Sequence, residues 1–238
     1  TLTPVARGAL LAAISALICC SSVVLPIPAS PLRNANSPYR SPHQSDLANF
    51  FDLVSAVGAW NPVATQLSVQ QGDSLSENAR TLALLNMALS DALVTVMETK
   101  YHYVFWRPET AIHDGALDRN PRTEPDPAYQ PFIVTPCFPS YPSAHASASY
   151  AAREVLAQIF GNRDHSITLS TRALPGVVLR YSNLTELADD IGDSRIYGGI
   201  HYRFDTETGG EQGTEIGRYV YREKLRSVKR CNFEYAVQ

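Results

Sequence analysis

The stretch SLSENARTLALLNMALSDALVTVMETKYHYVFWRP, Ser74 to Pro108, decides the fold class. Ser74 followed by Glu77 has capping-box spacing: the serine hydroxyl takes a free backbone N–H of the first turn, and the carboxylate returns to the cap. Good helix formers then continue until Pro108, whose ring disfavours a helical backbone in the residue before it. Leu82, Leu85, Leu89, Leu93 and Val96 recur in steps of three or four, the stripe of a helix laid against a core. The same steps land on Lys100, Tyr103 and Arg107, so two cations arrive on the face that should be buried. Either they sit at the helix C-terminus, where the dipole favours them and long side chains reach solvent, or they serve an anion.

Downstream, Pro108 to Pro142 holds eight prolines in 35 residues, a loop too long for a mere connector and of the kind that carries function. It leads into FPSYPSAHASASYAAREVLAQIFG, where Pro142 and Ser143 open a helix running to about Phe160. Further helices are expected from Thr185 to about Tyr197 and from about Glu207 to Leu225, with a short extended segment within residues 163–182. Upstream, a helix is expected from Asp46 to Val57 and a short one after Asn61-Pro62. Helix predominates without internal repeats, which predicts an all-α helical bundle with a long Pro-rich active-site loop.

The 238 residues suit one cored domain, expected over 45–226, after a linker at 31–44 and before a tail at 227–238. Residues 1–30, with one arginine, an apolar run from Ala9 to Cys20 and then small residues, read as a secretory signal or an upstream remnant. That reading predicts a secreted or periplasmic protein without a transmembrane domain. A formal charge of -3 carries no basic excess for nucleic acid, so any anion site must be local. Cys137 and Cys231 either form a disulfide or are unrelated thiols. Oligomeric state is not encoded in any pattern here.

Chemistry concentrates in three places. Lys100 and Arg107 are the first. Ser143, Ala144 and His145 stand at a helix start, where free N–H groups attract anions; the plainer reading is a capping serine beside a surface histidine. In SRIYGGIHYRFD, Ser194 to Asp205, His201 and Asp205 are four apart, so the carboxylate can orient the imidazole. Arg195 precedes His201 by six residues, about 120° away on an ideal helix, so both reach one point only if Gly198-Gly199 distorts the turn. Each signal alone is weak, but together they supply donors and nucleophiles suited to one tetrahedral oxyanion.

The order and spacing K-x6-R-P, P-S-[A]-H and S-R-x5-H-x3-D resemble the signature of the type 2 phosphatidic acid phosphatase (PAP2) and vanadium-dependent haloperoxidase superfamily, with Ala144 replacing its glycine. The resemblance spans roughly residues 45–225. It implies that Lys100, Arg107, Ser143, the Ala144 N–H and Arg195 bind vanadate, or phosphate in the same site. It makes His201 the axial ligand of vanadium, oriented by Asp205, and His145 the acid–base partner. The aromatic contexts resemble the soluble haloperoxidases, with Phe138 and Trp106 at the halide pocket. The implied reaction is oxidation of halide by hydrogen peroxide to a hypohalous acid equivalent that halogenates a small organic acceptor. The alternatives are a soluble acid phosphatase using a phosphohistidine and a non-catalytic oxyanion-binding bundle.

Overall fold

A computed structural model describes residues 34–118, 120 and 123–226. Residues 1–30, residues 227–238 and Cys19, Cys20 and Cys231 lie outside these; Cys137 is exposed.

Ser41 and Gln44 form a reciprocal capping box with Pro42 at the first helical position, so α1 (Pro42–Leu53) opens before the Asp46 start expected from sequence. Val54 is extended, and Ser55 caps α2 (Ala56–Gln71), which carries Pro62 inside it rather than beginning after it. Helix α3 (Leu75–Tyr103) begins at the Ser74–Glu77 box as expected. It ends before Pro108, because Val104 turns left-handed at φ 48° while its N–H still reaches Lys100 O at 2.9 Å. Arg107 is therefore off this helix and stands at the start of α4 (Pro108–His113).

A 3-10 turn (Gly115–Asp118) follows α4. Ser143 caps α5 (Ala144–Phe160), and β1 (Ile167–Ser170) pairs antiparallel with β2 (Val178–Tyr181), Ile167 opposite Tyr181. Helix α6 (Leu184–Tyr197) precedes α7 (Arg203–Glu223), which starts earlier than Glu207 because Asp205 caps the Tyr202 N–H. The architecture is an α-helical bundle carrying one hairpin.

Helix α5 lies at the centre, against α7, α3, α6 and α2. Phe50, Phe51, Trp60, Leu85, Leu89, Leu156 and Ile191 fill one core cluster. The α5–α7 seam is closer than side chains permit: a Cβ at Gly213 would lie 2.0 Å from Ser147 O, and one at Gly217 2.5 Å from Ala151 O. The segment containing α3 is long and apolar enough to cross a membrane by length and composition. Its Leu85, Leu89 and Val96, however, are buried inside the bundle, as in the core helix of a globular fold.

Candidate active site

The last turn of α3 delivers Lys100 completely buried, with Nζ donating to Pro139 O at 2.9 Å and Ser140 O at 2.7 Å. The left-handed Val104 turn then brings Arg107 back toward the same segment. Its Nε donates to Phe138 O at 2.9 Å and its Nη1 to Ile200 O at 2.8 Å. The Phe138 ring faces both cations, 5.3 Å from Lys100 Nζ and 5.0 Å from Arg107 Cζ.

At the start of α5, Ser143 is buried; its N–H donates to Asp205 O at 2.8 Å and its Oγ accepts from Ala146 N at 3.4 Å. Ala144 opens the helix without a positive φ, so the backbone conformation needs no glycine. His145 is partly buried beside the Phe51 backbone. From α6, Arg195 Nη1 donates to the same Phe51 carbonyl at 3.0 Å, and its Nη2 is 3.4 Å from Asp52 Oδ1.

Helix α6 stops at Gly198, and Gly199 takes φ 81°, a conformation that L side chains avoid. His201 thus lies in the link between α6 and α7 rather than on a helix, which removes the 120° separation from Arg195. His201 Nδ1 is 2.8 Å from Asp205 Oδ2, and its Nε2 is 3.0 Å from Arg107 Nη1. A carboxylate can only accept and a guanidinium can only donate, so the proton sits on Nδ1 and the lone pair on Nε2. Burial, reinforced by Arg107 and Lys100 and opposed by Asp205, brings the imidazole down to about 4, so it is neutral at physiological pH.

Three cations share this small volume. Burial, helped by Arg107, brings Lys100 down to about 7; burial also lowers Arg107 to about 10 and depresses Arg195. Burial, then Arg195 and His201, holds His145 well below its ordinary value. Against them stand the buried Asp205 and the half-exposed Asp52. Two guanidinium donors, Arg107 Nη2 and Arg195 Nε, are buried with no hydrogen-bond partner among the described residues. Unpaired charged donors in the interior cost more than neutral ones, and an anion would satisfy both.

The family model for the VCPO second helical-bundle domain matches residues 80–230, which take in every one of these motif residues. The chain belongs to the vanadium-dependent haloperoxidase family. It is 25% identical over 177 residues to the vanadium chloroperoxidase of Curvularia inaequalis, covering 53% of this chain and 28% of that protein. A bacterial vanadium-dependent iodoperoxidase structure is similar at TM-score 0.67 and 27% identity, over 75% of this chain and 43% of that one. The apo form of a bacterial vanadium-dependent chloroperoxidase shares the fold at TM-score 0.67 and 16% identity, over 82% of this chain and 47% of that one. The chain spans less than half the length of these relatives.

In this haloperoxidase bundle the sequence-predicted residues fall into two connected groups. Lys100, Arg107, His201 and Asp205 are linked directly or through the 138–140 backbone, and Arg195 and His145 meet at Phe51. No described contact joins Trp106 to either group, and its side chain is partly buried. Sequence reading missed Ser140, whose Oγ lies 2.5 Å from Asp205 Oδ2, and Asp52, the partner of Arg195. Neither carries a local signal; each is an ordinary polar residue until the fold closes. The aromatic residues flanking the motifs also meet: Phe105 packs edge-on to Tyr202 and Phe204, and Tyr141 lies 5.9 Å from Phe204.

Proposed function

We propose that the protein is a vanadate-dependent haloperoxidase that oxidises halide with hydrogen peroxide to a hypohalous acid equivalent, for transfer to a small organic acceptor. The observation that carries this reading is the pair of guanidinium donors on Arg107 and Arg195, unpartnered among the described residues, in a buried cationic cluster beside a neutral histidine. These groups fit a tetrahedral oxyanion. Lys100, Arg107, Ser143, the Ala144 N–H and Arg195 would hold vanadate oxygens, and His201 Nε2 would supply the coordinating nitrogen. When bound, vanadate acts as a Lewis acid that activates peroxide toward halide.

The chain's own residues do the rest. Asp205 accepts a hydrogen bond from His201 Nδ1–H and so keeps Nε2 unprotonated. Lys100 is held by two backbone carbonyls, so its third N–H is the one free to stabilise developing negative charge. His145, held neutral, would take up and return a proton of the peroxide substrate. The Phe138 ring, with Trp106 as the second expected aromatic, excludes water from the halide pocket. The Pro-rich segment 108–142, which opens with α4 and a 3-10 turn rather than as loop throughout, then serves as the active-site segment of a PAP2-type domain over residues 45–226, and the leader-like residues 1–30 direct export.

The test is a paired assay of purified protein with and without orthovanadate, following peroxide-dependent bromination and phosphate-ester hydrolysis. Bromination that requires vanadate is expected. Hydrolysis inhibited by vanadate would instead select a phosphatase using a phosphohistidine, and neither activity would leave a non-catalytic oxyanion-binding bundle.

A further inference from the structure

Ser140 is completely buried, and each of its polar groups is tied to a different part of the site. Its N–H donates to Phe105 O at 2.8 Å, its carbonyl accepts from Lys100 Nζ at 2.7 Å, and its Oγ lies 2.5 Å from Asp205 Oδ2. The hydroxyl's direction is fixed by elimination. His201 Nδ1, 3.5 Å from Ser140 Oγ, already carries a proton, so the hydroxyl donates to the carboxylate.

Asp205 is held in an asymmetric way. Oδ2 gathers Ser140 Oγ, His201 Nδ1 and the Tyr202 N–H, whereas the buried Oδ1 has no partner among the described residues. The carboxylate's torsion therefore depends on donors to a single oxygen. Two of these lie close in sequence to Asp205, and among the described residues Ser140 alone reaches it from a distant segment, 65 residues away. Without that hydroxyl the carboxylate can rotate to offer Oδ1, and the imidazole plane set by Oδ2 is no longer unique.

We infer that Ser140 is a positioning residue: by fixing Asp205 it aims His201 Nε2 at the oxyanion. This rests on the oxyanion reading given above. A purely structural serine would fill the same space and satisfy the same loop, yet its loss would lower stability without changing ligand affinity. Substitution by alanine isolates the point, because the contact with Lys100 uses the Ser140 backbone carbonyl and survives.

The experiment is calorimetric titration of orthovanadate into the full chain as wild type, Ser140→Ala, Ser140→Thr and Ser140→Cys, with thermal unfolding of each ligand-free protein. Ser140→Ala should weaken binding about tenfold, the loss of one hydrogen bond to a charged group. Ser140→Thr, which keeps the hydroxyl, should restore affinity to within about threefold of wild type. In an Asp205→Asn background, Ser140→Ala should have a much smaller effect, since the two residues act as one unit. Should Ser140→Ala not fold, Ser140→Cys carries the comparison, with a weak donor and an expected loss of affinity. Wild-type affinity in the alanine or cysteine variant would overturn the inference, as would an undiminished alanine effect in the Asp205→Asn background. Failure of the wild type to bind orthovanadate would overturn the oxyanion reading itself, a result separable from a Ser140 variant that binds normally.

Discussion

Arg107 Nη1 sits 3.0 Å from His201 Nε2, so the imidazole lone pair is hydrogen-bonded by a guanidinium. The same lone pair cannot also bond an entering group, and binding must exchange the arginine contact for the anion. Arg107 has a donor to spare, since Nη2 has no partner among the described residues.

Arg107→Lys keeps the positive charge but removes the planar fork. Oxyanion affinity should fall by about 10- to 100-fold, as expected where an arginine divides its donors between backbone and ligand. Titration calorimetry with inorganic phosphate measures this; unchanged affinity would mean that charge alone matters at this position.

Lys100, lowered to about 7 by burial, makes anion binding proton-linked. An anion favours charged Lys100, so affinity should decline as pH rises through about 7 and level off below it. Sulfate is the useful probe, because its own charge is constant over this range. Lys100→Met should weaken binding and flatten the profile. Without ligand the sign is reversed: the unfolded chain holds the proton up to about 10.5, so Lys100's contribution to stability rises with pH between about 7 and 10.5.

Exchanging each histidine for alanine separates anchoring from proton transfer. On the proposed reading His201→Ala removes the nitrogen that would bind vanadate, and should lose most of the thermal stabilisation that vanadate confers. His145→Ala should keep that stabilisation while halogenation slows by about 10² to 10⁴, as for an acid–base group. The opposite pattern in a vanadate-dependent thermal shift would reverse the two roles.

Ala144→Gly should change vanadate affinity by no more than about tenfold, on the order of 1.4 kcal/mol, because Ala144 already has a helical backbone with its N–H in the first turn. A much larger gain on titration would show that the methyl group obstructs the pocket.

Gly213→Ala should destabilise the fold by about 3 kcal/mol or more. The new Cβ would meet Ser147 O at 2.0 Å, backbone against backbone, with no rotamer to relieve it. Denaturant unfolding gives the value, and a near-neutral substitution would show that α5 and α7 can separate cheaply.

Much of this was legible in the chain because local chemistry dictated it. The Ser74–Glu77 box and the Ser143 cap act over three residues, so the starts of α3 and α5 could be read directly. The three motif segments were legible as sets of donors. What escaped was decided by distant partners. Val104 adopts a left-handed turn that its β-branched side chain disfavours locally, so the stripe that seemed to carry Arg107 on α3 ended too soon. The Ser140–Asp205 bond and the Arg195–Asp52 pair join positions 65 and 143 residues apart, and no spacing rule links them. His201 falls between the two expected helices, but how it turns back toward the site depends on Gly199 at a positive φ just before it and on Asp205 capping the next helix just after.

The glycine seam between α5 and α7 bears on how this pocket could be redesigned. Ser143 and His145 ride on one side of that seam, Asp205 on the other, and the spacing between them is set by peptide groups in contact rather than by exchangeable side chains. Diversity introduced at Gly209, Gly213 or Gly217 would push the two halves of the pocket apart and blunt every donor at once. Variation at Phe138 and its neighbours would instead change what faces Lys100 and Arg107 while the frame beneath stays in register. A library aimed at altering what the site binds belongs around Phe138, with the glycines left untouched.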